Sequence, residues 1–405
     1  MKILVLTSIY PQCDDDFKAG ITPVVKYFVK EWVKDNNEVV VIHNANRYPW
    51  IFYMLPDKTI QIINSKAGIV VPRKCQRKFL YSEDNGIKSF RLPITKLIPK
   101  GRFFKFQINN QYKKITSILE KQNFIPDVII GHWENPQAHL ISLLKNKYKC
   151  NSSLVLHDTG NIDKSWIKNY IYDIDFIGCR SRHMAKVAQE KLNLEKYPFV
   201  CYSGIPDGYV NSNKVTSRKK YNSKTVDKYI YVGQLIERKN IDTIIKALNI
   251  AYPDKQFILN IIGVGVLEAS LKSLAKELEL SDNVNFLGRV SREEVINLMM
   301  ESEIFTMVSK NEAFGLVYLE AMCSGCIVVA SKDEGIDGVI INGENGFLCS
   351  AGDEIELASI YKKIRNLSIE DKNKLLDNSL KTVNEFTDSN VANKYLKTVA
   401  TNKEN

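Results

Sequence analysis

The sequence has few of the features that mark secreted, membrane-spanning or metal-binding proteins. Eight cysteines in 405 residues are too sparse for a disulfide framework, and the five histidines form no cluster with metal-ligand spacing. No uncharged apolar run approaches the roughly 18 residues that cross a bilayer, and the run at residues 3–7 is too short for a signal peptide. We therefore expect free thiols, a cytoplasmic location and no bound metal.

Acidic residues are in the minority, and the positive surplus is local. The composition, with 44% hydrophobic and 25% charged residues, excludes a disordered or fibrous chain. Lysine and arginine number 56 against 46 aspartates and glutamates, a net charge of +10. Residues 71–120 alone hold twelve basic and three acidic residues, a net charge of +9, so the remainder is almost neutral. Such a surplus fits nucleic acid, an anionic membrane or an acidic ligand.

Aromatic residues are mixed with this charge at residues 100–106, Lys-Gly-Arg-Phe-Phe-Lys-Phe. The mixture is typical of proteins that bind single-stranded nucleic acid and of segments that lie on a membrane surface. An exposed segment without a partner is a third interpretation. The Cys323-x-x-Cys326 spacing lies in an apolar passage with no second cysteine pair, so we expect it to serve packing.

The first half of the sequence alternates apolar runs with helical periodicity, as parallel α/β folds do. A helix is predicted near residue 22, because Thr22 is a suitable N-cap, Pro23 suits a first turn, and apolar residues repeat at helical spacing from Val25 to Val33. The predicted strands are residues 3–6, 39–42, 128–130, 154–156 and Phe176–Cys179.

A second βα series follows the polar, basic residues 211–228, which we interpret as a linker or exposed loop. Its predicted strands are residues 229–232, Phe257–Ile262, 284–287, 304–308 and 327–330. Its helices include residues 267–280, Leu316–Cys323 and one opened by a capping box at Ser291 and Glu294. Two such series predict two doubly wound domains with ligands at the carboxyl ends of the strands, in loops 233–240, 263–266, 288–291, 309–315 and 332–338.

Glu312 and Glu320 are the most informative residues of these loops. Glu312 follows a strand just before a helix N-terminus, where backbone N–H groups and the helix dipole favour anions. Glu320 interrupts an apolar helix, and a carboxylate buried there needs donors such as sugar or ribose hydroxyls. The alternative is that Glu312 is an ordinary first-turn acid and Glu320 the solvent-facing position of its helix.

Two further loops could contact a nucleotide. Gly233 ends a strand, and the basic pair Arg238 and Lys239 precedes a helix, so a lysine there could neutralise a diphosphate. An exposed basic loop is the alternative. Gly263 and Gly265 lie between a strand and a helix, but the third glycine of the dinucleotide motif is missing, so they are weak evidence for a nucleotide. The lack of the downstream acid of a Rossmann site argues against a nicotinamide enzyme.

Together these segments resemble the retaining nucleotide-sugar glycosyltransferases of family 4. The resemblance rests on residues 233–239, on Glu312 and Glu320 at Glu-x7-Glu spacing, on residues 321–330 and on Asn-Gly-Glu-Asn-Gly-Phe-Leu at 342–348. It is dense from about residue 229 to 353 and thinner before. It implies the GT-B fold: two Rossmann-like domains facing a cleft, here residues 1–206 and 207–385, with a terminal helix in 386–405 crossing back onto the first.

The resemblance also assigns roles. Glu312 would contact the donor sugar, Glu320 the ribose, and Lys239 the diphosphate. The family's arginine after Gly233 is replaced here by Gln234, for which Arg238 is a substitute. In the first domain, His132 would end a strand near the reacting sugar, with the His157-Asp158 pair a weaker candidate. The remaining donor-binding residues would be Gly20, Gly233, Gly263, Val290, Phe314, Gly315, Leu316 and Val317.

The implied activity is the retaining transfer of a hexosyl or N-acetylhexosaminyl group, without metal or cofactor, from a nucleoside-diphosphate sugar, with UDP the expected nucleotide. The acceptor would be a saccharide or lipid-linked saccharide of bacterial surface polysaccharide synthesis. With such an acceptor, residues 71–120 would face the anionic inner surface of the plasma membrane and not nucleic acid. A sugar-nucleotide epimerase of the same fold and a nucleic-acid-binding protein using residues 71–120 are the alternatives.

Overall fold

A computed structural model of the chain describes residues 1–13, 16, 22–56, 59, 78–97, 101–158, 162, 164–213 and 227–401. The chain divides into two compact units. Unit 1 consists of Met1–Arg180, Ala185–Cys201 and Val391–Asn405, and unit 2 of Ser181–Met184 and Tyr202–Asn390. None of the helices within the described ranges is long and apolar enough to cross a membrane.

Unit 1 is organised around one large sheet. Its strands are β1 (Lys2–Thr7), β2 (Glu38–His43), β3 (Asn46–Arg47), β4 (Leu80–Asp84), β5 (Ile87–Arg91), β6 (Ile94–Thr95), β7 (Val128–His132), β8 (Asn151–Leu156), β9 (Phe176–Cys179) and β10 (Phe199–Val200). Eight of them lie in the order β10-β9-β8-β7-β1-β2-β5-β4, and β3 pairs with β6. All neighbours in the large sheet are parallel except β4 and β5. Because the order reverses between β1 and β7, unit 1 is doubly wound.

Helices alternate with these strands. They are α1 (Val24–Lys34), α2 (Lys105–Lys121), α3 (Gln137–Tyr148), α4 (Lys164–Ile171) and α5 (Arg182–Leu192), with a 3-10 turn at Trp50–Tyr53. The apolar face predicted for the first helix is the face that α1 buries. Its N-cap is Pro23 without a side-chain hydrogen bond, so the prediction of a Thr22 cap is wrong. Beta-strands 4 and 5 are not predictable from the sequence, because polar residues separate their few apolar ones.

Unit 2 contains a fully parallel sheet. Its strands are β11 (Asp227–Val232), β12 (Phe257–Ile262), β13 (Val284–Gly288), β14 (Ile304–Met307), β15 (Ile327–Ser331) and β16 (Phe347–Cys349), in the order β13-β12-β11-β14-β15-β16. The order reverses between β11 and β14, so unit 2 is also doubly wound. The sequence predicts five of the six strands, and most of the expected linker, residues 214–226, lies outside the described residues.

The helices from unit 2 onward are α6 (Asp207–Asn213), α7 (Ile241–Ala251), α8 (Glu268–Glu277), α9 (Arg292–Glu301), α10 (Leu316–Cys323), α11 (Glu354–Arg365), α12 (Ile369–Glu385) and α13 (Asp388–Ala400). The Ser291 N-cap of α9 is confirmed, since the Ser291 hydroxyl accepts the Glu294 N–H at 3.1 Å. Cys323 and Cys326 are buried, and their thiols donate to backbone carbonyls of Tyr209 and Met299, which confirms a packing role.

The last helix returns to unit 1, as the sequence predicts. From Val391 onward the chain belongs to that unit. The Trp32 indole donates to the Ala392 carbonyl at 2.9 Å, across 360 positions of sequence. The Tyr395 ring packs edge-on against Phe28, with centroids 5.5 Å apart. The C-terminal helix is therefore part of the core of unit 1.

Two histidines are enclosed in unit 1 in their neutral form. His132, at the end of β7, places Nδ1 3.0 Å from Nε2 of His157, and burial lowers its pKa to about 3. His43, at the end of β2, places Nε2 3.2 Å from the Ser8 carbonyl, and burial, with the nearby Arg91, lowers its pKa to about 3. In the unfolded chain both rings take up a proton near pH 6.5.

The stability of unit 1 should therefore fall as the pH decreases from about 6.5 towards 3, because only the unfolded chain binds these protons. Each histidine should account for about 2 kcal/mol of lost unfolding free energy between pH 7 and pH 5. In His132→Phe this pH-dependent loss should shrink by that amount. Denaturant unfolding followed by tryptophan fluorescence measures it, since all four tryptophans lie in unit 1.

His183, whose side chain is exposed on α5, provides the matched control. The His183→Phe variant carries the same substitution at an exposed position and serves as the comparison. An equal loss of stability between pH 7 and pH 5 in wild type and His132→Phe would contradict the prediction.

Candidate functional site

The candidate site of unit 2 lies at the carboxyl ends of its strands. The five loops predicted from the sequence follow β11, β12, β13, β14 and β15, which confirms their placement at one edge of the sheet. Beta-strands 11 and 14 are neighbours at the point where the strand order reverses. Loops that leave such neighbours in opposite directions open a crevice, which is where doubly wound sheets bind ligands.

Lys239 and Glu312 meet in this crevice. Lys239 ends a 3-10 turn after β11, and its Nζ donates to Oε2 of Glu312 at 2.5 Å. Their side chains are only 9% and 14% exposed. Burial lowers the pKa of the Lys239 amine, while the Glu312 carboxylate opposes that shift. The pair is thus an ammonium held at a largely enclosed position by a carboxylate from the neighbouring loop.

Arg238 adds a second cation to the same carboxylate. Its Nη1 lies 3.2 Å from Oε2 of Glu312, and its side chain is 42% exposed. The Arg238 carbonyl accepts the N–H of Lys310 at 2.7 Å, which ties the loop after β11 to the loop after β14. The Gln234 side chain is exposed, and the backbone carbonyl of Gln234 accepts the Tyr231 hydroxyl at 3.0 Å. Arg238, and not Gln234, therefore brings the second positive charge to Glu312.

Glu334, in the loop after β15, is a site residue that sequence reasoning does not select. Its Oε1 accepts the N–H of Asn311 at 2.9 Å and its Oε2 the N–H of Glu312 at 2.8 Å. The available signal is an acidic residue in a loop following the strand next to β14. That signal is weak, because nothing in the sequence says that the side chain turns towards residues 311–312.

The N-terminus of α10 lies immediately beyond Glu312. Gly315 caps the helix with φ 80°, and Phe314 before it is buried. The N–H groups of Leu316 and Val317 belong to the first turn, where no intrahelical acceptor exists. These amides and the helix dipole place partial positive charge beside the Lys239–Glu312 pair, which favours an anionic group.

Backbone hydrogen bonds join the loops after β11, β12 and β13. The Gly233 N–H donates to the Ile262 carbonyl at 2.9 Å, and the Gly263 N–H to the Gly288 carbonyl at 2.7 Å. Gly263 has φ 135°, and a Cβ there would lie 1.8 Å from the Gly233 oxygen, so only glycine fits. Val290, which is half-buried, lies in the loop after β13.

Glu320, on α10, is neither fully buried nor simply solvent-facing. Its side chain is 18% exposed, and its Oε1 accepts from Nη2 of Arg292 at 2.7 Å. Arg292 is the first residue of α9 and is mostly exposed. The partner that the sequence requires for this carboxylate is therefore supplied by the protein itself.

The histidine candidates of unit 1 lie at the ends of β7 and β8. His132 is completely enclosed and paired with His157 through their ring nitrogens. Nε2 of His132 has no hydrogen-bond partner, and the His157 ring stacks on Trp133 at 3.9 Å. Gly20 lies outside the described residues. Among the residues that the structure describes, no group of three or more His, Cys, Asp or Glu could hold a metal ion.

Comparisons with known proteins show which sequences and folds this chain resembles. Residues 213–381 match the family described as "Glycosyl transferases group 1". An uncharacterized glycosyltransferase of Methanocaldococcus jannaschii is 28% identical over 68% of this chain and 75% of the relative. Alpha-monoglucosyldiacylglycerol synthase of Acholeplasma laidlawii is 25% identical over 71% of this chain and 72% of the relative.

A solved structure extends the match to nearly the whole fold. Anabaena HepE in complex with UDP superimposes with a TM-score of 0.65 at 16% identity, covering 99% of this chain and 100% of that one. These matches do not favour the epimerase or nucleic-acid alternatives. The α/β architecture, with two doubly wound units and a returning C-terminal helix, is that of GT-B glycosyltransferases. Over residues 213–381 this chain is therefore similar to the group 1 glycosyltransferases.

Proposed function

We propose that the protein transfers a hexosyl or N-acetylhexosaminyl group from a nucleoside-diphosphate sugar, with UDP as the nucleotide, to a hydroxyl of a saccharide or lipid-linked saccharide. The anomeric configuration is retained, and the product serves bacterial surface polysaccharide synthesis. The observation that carries the proposal is the enclosed Lys239–Glu312 pair beside the N-terminus of α10. The UDP in complex with Anabaena HepE and the glucosyl group in the name of the Acholeplasma relative support it.

The diphosphate is the group whose charge increases as the bond to the sugar breaks, so its stabilisation should dominate the rate. Lys239 and Arg238 supply two cations within 3.2 Å of one carboxylate oxygen. The N–H groups of Leu316 and Val317, next to Phe314 and Gly315, supply donors that no intrahelical carbonyl occupies. We assign the diphosphate to these groups, with Gly233, Gln234 and Gly263 allowing backbone approach from the opposite loops.

The two glutamates then contact the rest of the donor. Glu312, fixed between Lys239 and the loop backbone, accepts from hydroxyls of the transferred sugar. Glu320, whose carboxylate pairs with Arg292, accepts from the ribose. Val290 is assigned to the base side of the donor, in the loop after β13.

Glu312→Ala and Lys239→Ala should each lose about 100-fold or more in transfer rate while remaining folded, because each removes a charged group aimed at the donor. The measurement is product formation from a panel of UDP-, GDP- and ADP-sugars, with thermal unfolding as the folding check. Lys246→Ala is the matched control, since Lys246 forms an exposed ion pair with Asp242 on α7. Wild-type rates in both site variants would refute the assignment.

Transfer should also be independent of divalent cations, because Lys239, Arg238 and the α10 amides would meet the charge of the leaving diphosphate. Treatment with excess EDTA should leave the rate within about twofold, since no cation bound at the diphosphate is lost on chelation. The rate is measured with the best donor of the panel, before and after adding Mn²⁺ or Mg²⁺. Complete inactivation by chelator with recovery on adding either cation would show that a metal is required.

A peripheral position on the inner face of the plasma membrane completes the proposal. Residues 71–77 and 98–100 of the basic stretch lie outside the described residues, and the remainder is described. Phe104 and Phe106 are 53% and 70% exposed, and their rings stack at 5.8 Å. Helix α2 begins at Lys105, between these two phenylalanines, and Lys113 and Lys114 are exposed on it. Exposed aromatic rings next to basic residues favour the interface of an anionic bilayer.

The protein should sediment with vesicles containing anionic phospholipid at low salt, and not with purely zwitterionic vesicles. The Lys113→Glu/Lys114→Glu variant should bind at least about tenfold more weakly, because lysines near an anionic surface contribute roughly 1 kcal/mol each. Lys276→Glu/Lys397→Glu, with the same charge change at exposed positions on other helices, should bind as wild type. Absence of binding to anionic vesicles at low salt would refute the membrane assignment.

A further inference from the structure

The carboxylate of Glu334 holds two successive peptide N–H groups of the loop that carries Glu312. Oε1 accepts from Asn311 at 2.9 Å, and Oε2 accepts from Glu312 at 2.8 Å. Hydrogen bonds to an ionised acceptor are about twice as strong as neutral ones. A carboxylate that binds both amides fixes the peptide plane between them, and therefore the direction in which the Glu312 side chain leaves the backbone.

The turn that bears Glu334 is itself held in place. The Asp333 N–H donates to Oδ2 of Asp337 at 2.6 Å, and the Asp337 N–H donates to the Glu334 carbonyl at 3.0 Å. Gly335 lies against the loop after β14, where a Cβ would come within 2.4 Å of the Phe314 nitrogen. Since backbone contact and side-chain hydrogen bonds join the same two loops, Glu334 acts on residues 311–312 from a fixed support.

The loop that Glu334 holds passes through the left-handed region. Asn311 has φ 55°, a conformation that asparagine adopts more readily than most other non-glycine residues. The hydrogen bond from its N–H to Glu334 helps to maintain this conformation. One residue later, Oε2 of Glu312 must reach both Lys239 and Arg238. Small changes in the backbone at Asn311 would thus displace the Glu312 carboxylate from its cations.

We propose that Glu334 is a positioning residue: it orients Glu312 for contact with the donor sugar and does not touch the substrate itself. The proposal rests on the role of Glu312 in the proposed function and goes beyond it by identifying what holds that residue. It also separates two parts of donor recognition. Sugar recognition should depend on Glu334, whereas diphosphate binding by Lys239 and the α10 amides should not.

The test is a double-mutant cycle with Glu334→Ala, Glu312→Ala and the combined variant. Binding of UDP and of UDP-glucose, or of the corresponding pair selected by the donor panel, is measured by calorimetry, together with kcat. Glu334→Ala should lower kcat about 10- to 100-fold, as expected for a misplaced reacting group. The Kd for UDP should change much less than the Kd for UDP-glucose, because UDP carries no sugar for Glu312 to contact. In the Glu312→Ala background, adding Glu334→Ala should not weaken sugar-nucleotide binding further.

Glu334→Gln sharpens the result. Its amide oxygen can still accept one N–H, but its NH₂ group then faces a second donor, so this variant should fall between wild type and Glu334→Ala in kcat. Glu356→Ala is the matched control. Glu356 also accepts a backbone N–H, that of Ser350 at 2.7 Å, and pairs with Lys332, but it does not bond to residues 311–312. Its kcat and both Kd values should stay at wild-type level.

Three outcomes would overturn the proposal. In the first, Glu334→Ala weakens UDP and the sugar nucleotide equally, in both backgrounds, as loss of general structure would. In the second, Glu334→Ala retains wild-type kcat while Glu312→Ala is inactive, which leaves the proposed function intact. In the third, both variants retain wild-type kcat, which refutes the role of Glu312 and the positioning role with it.

Discussion

The ionised amine of Lys239 is the constraint on which the site depends. An ammonium group enclosed to this extent is stable only if an anion compensates for the water it has lost. That anion is Glu312, which lies 73 positions later in the sequence. The two can meet because β11 and β14 are adjacent in the sheet. The strand order of unit 2 therefore brings the two charges of this ion pair together, in addition to burying the apolar strands.

The same logic explains which parts of the structure are predictable from the sequence. Five of the six strands of unit 2 are short apolar runs between capping and turn residues, so their order along the chain follows from local pattern. Beta-strand 16 is only three residues long, and β4 and β5 mix charged with apolar residues, so local pattern does not identify them. The N-cap of α1 is missed because Pro23, a residue typical of the first helical position, is itself the N-cap here.

Prediction of the site is limited by side-chain direction. Sequence analysis selects Glu312 and Lys239 by their charge and their position in the strand-end loops. It selects the glycines by their position in those loops. Glu334 and Arg292 are not, because the first acts through backbone amides and the second pairs with Glu320 from a different helix. Neither contact leaves a periodicity or a motif in the sequence. The replacement of the family's arginine by Gln234 is visible in the sequence. The contact between Arg238 and Glu312 is visible only in the structure.

The loops that surround the crevice are joined mainly by backbone groups: Gly233 to Ile262, Gly263 to Gly288, and Lys310 to Arg238. Such bonds are indifferent to the identity of most side chains, provided that glycine is kept where chains approach closely. Exposed positions on the same loops, such as Gln234 and Ala313, can accordingly change without disturbing the framework. Divergence towards new sugars or nucleotides is thereby uncoupled from folding, so that a lineage can explore substrate preference at little risk to the integrity of the domain.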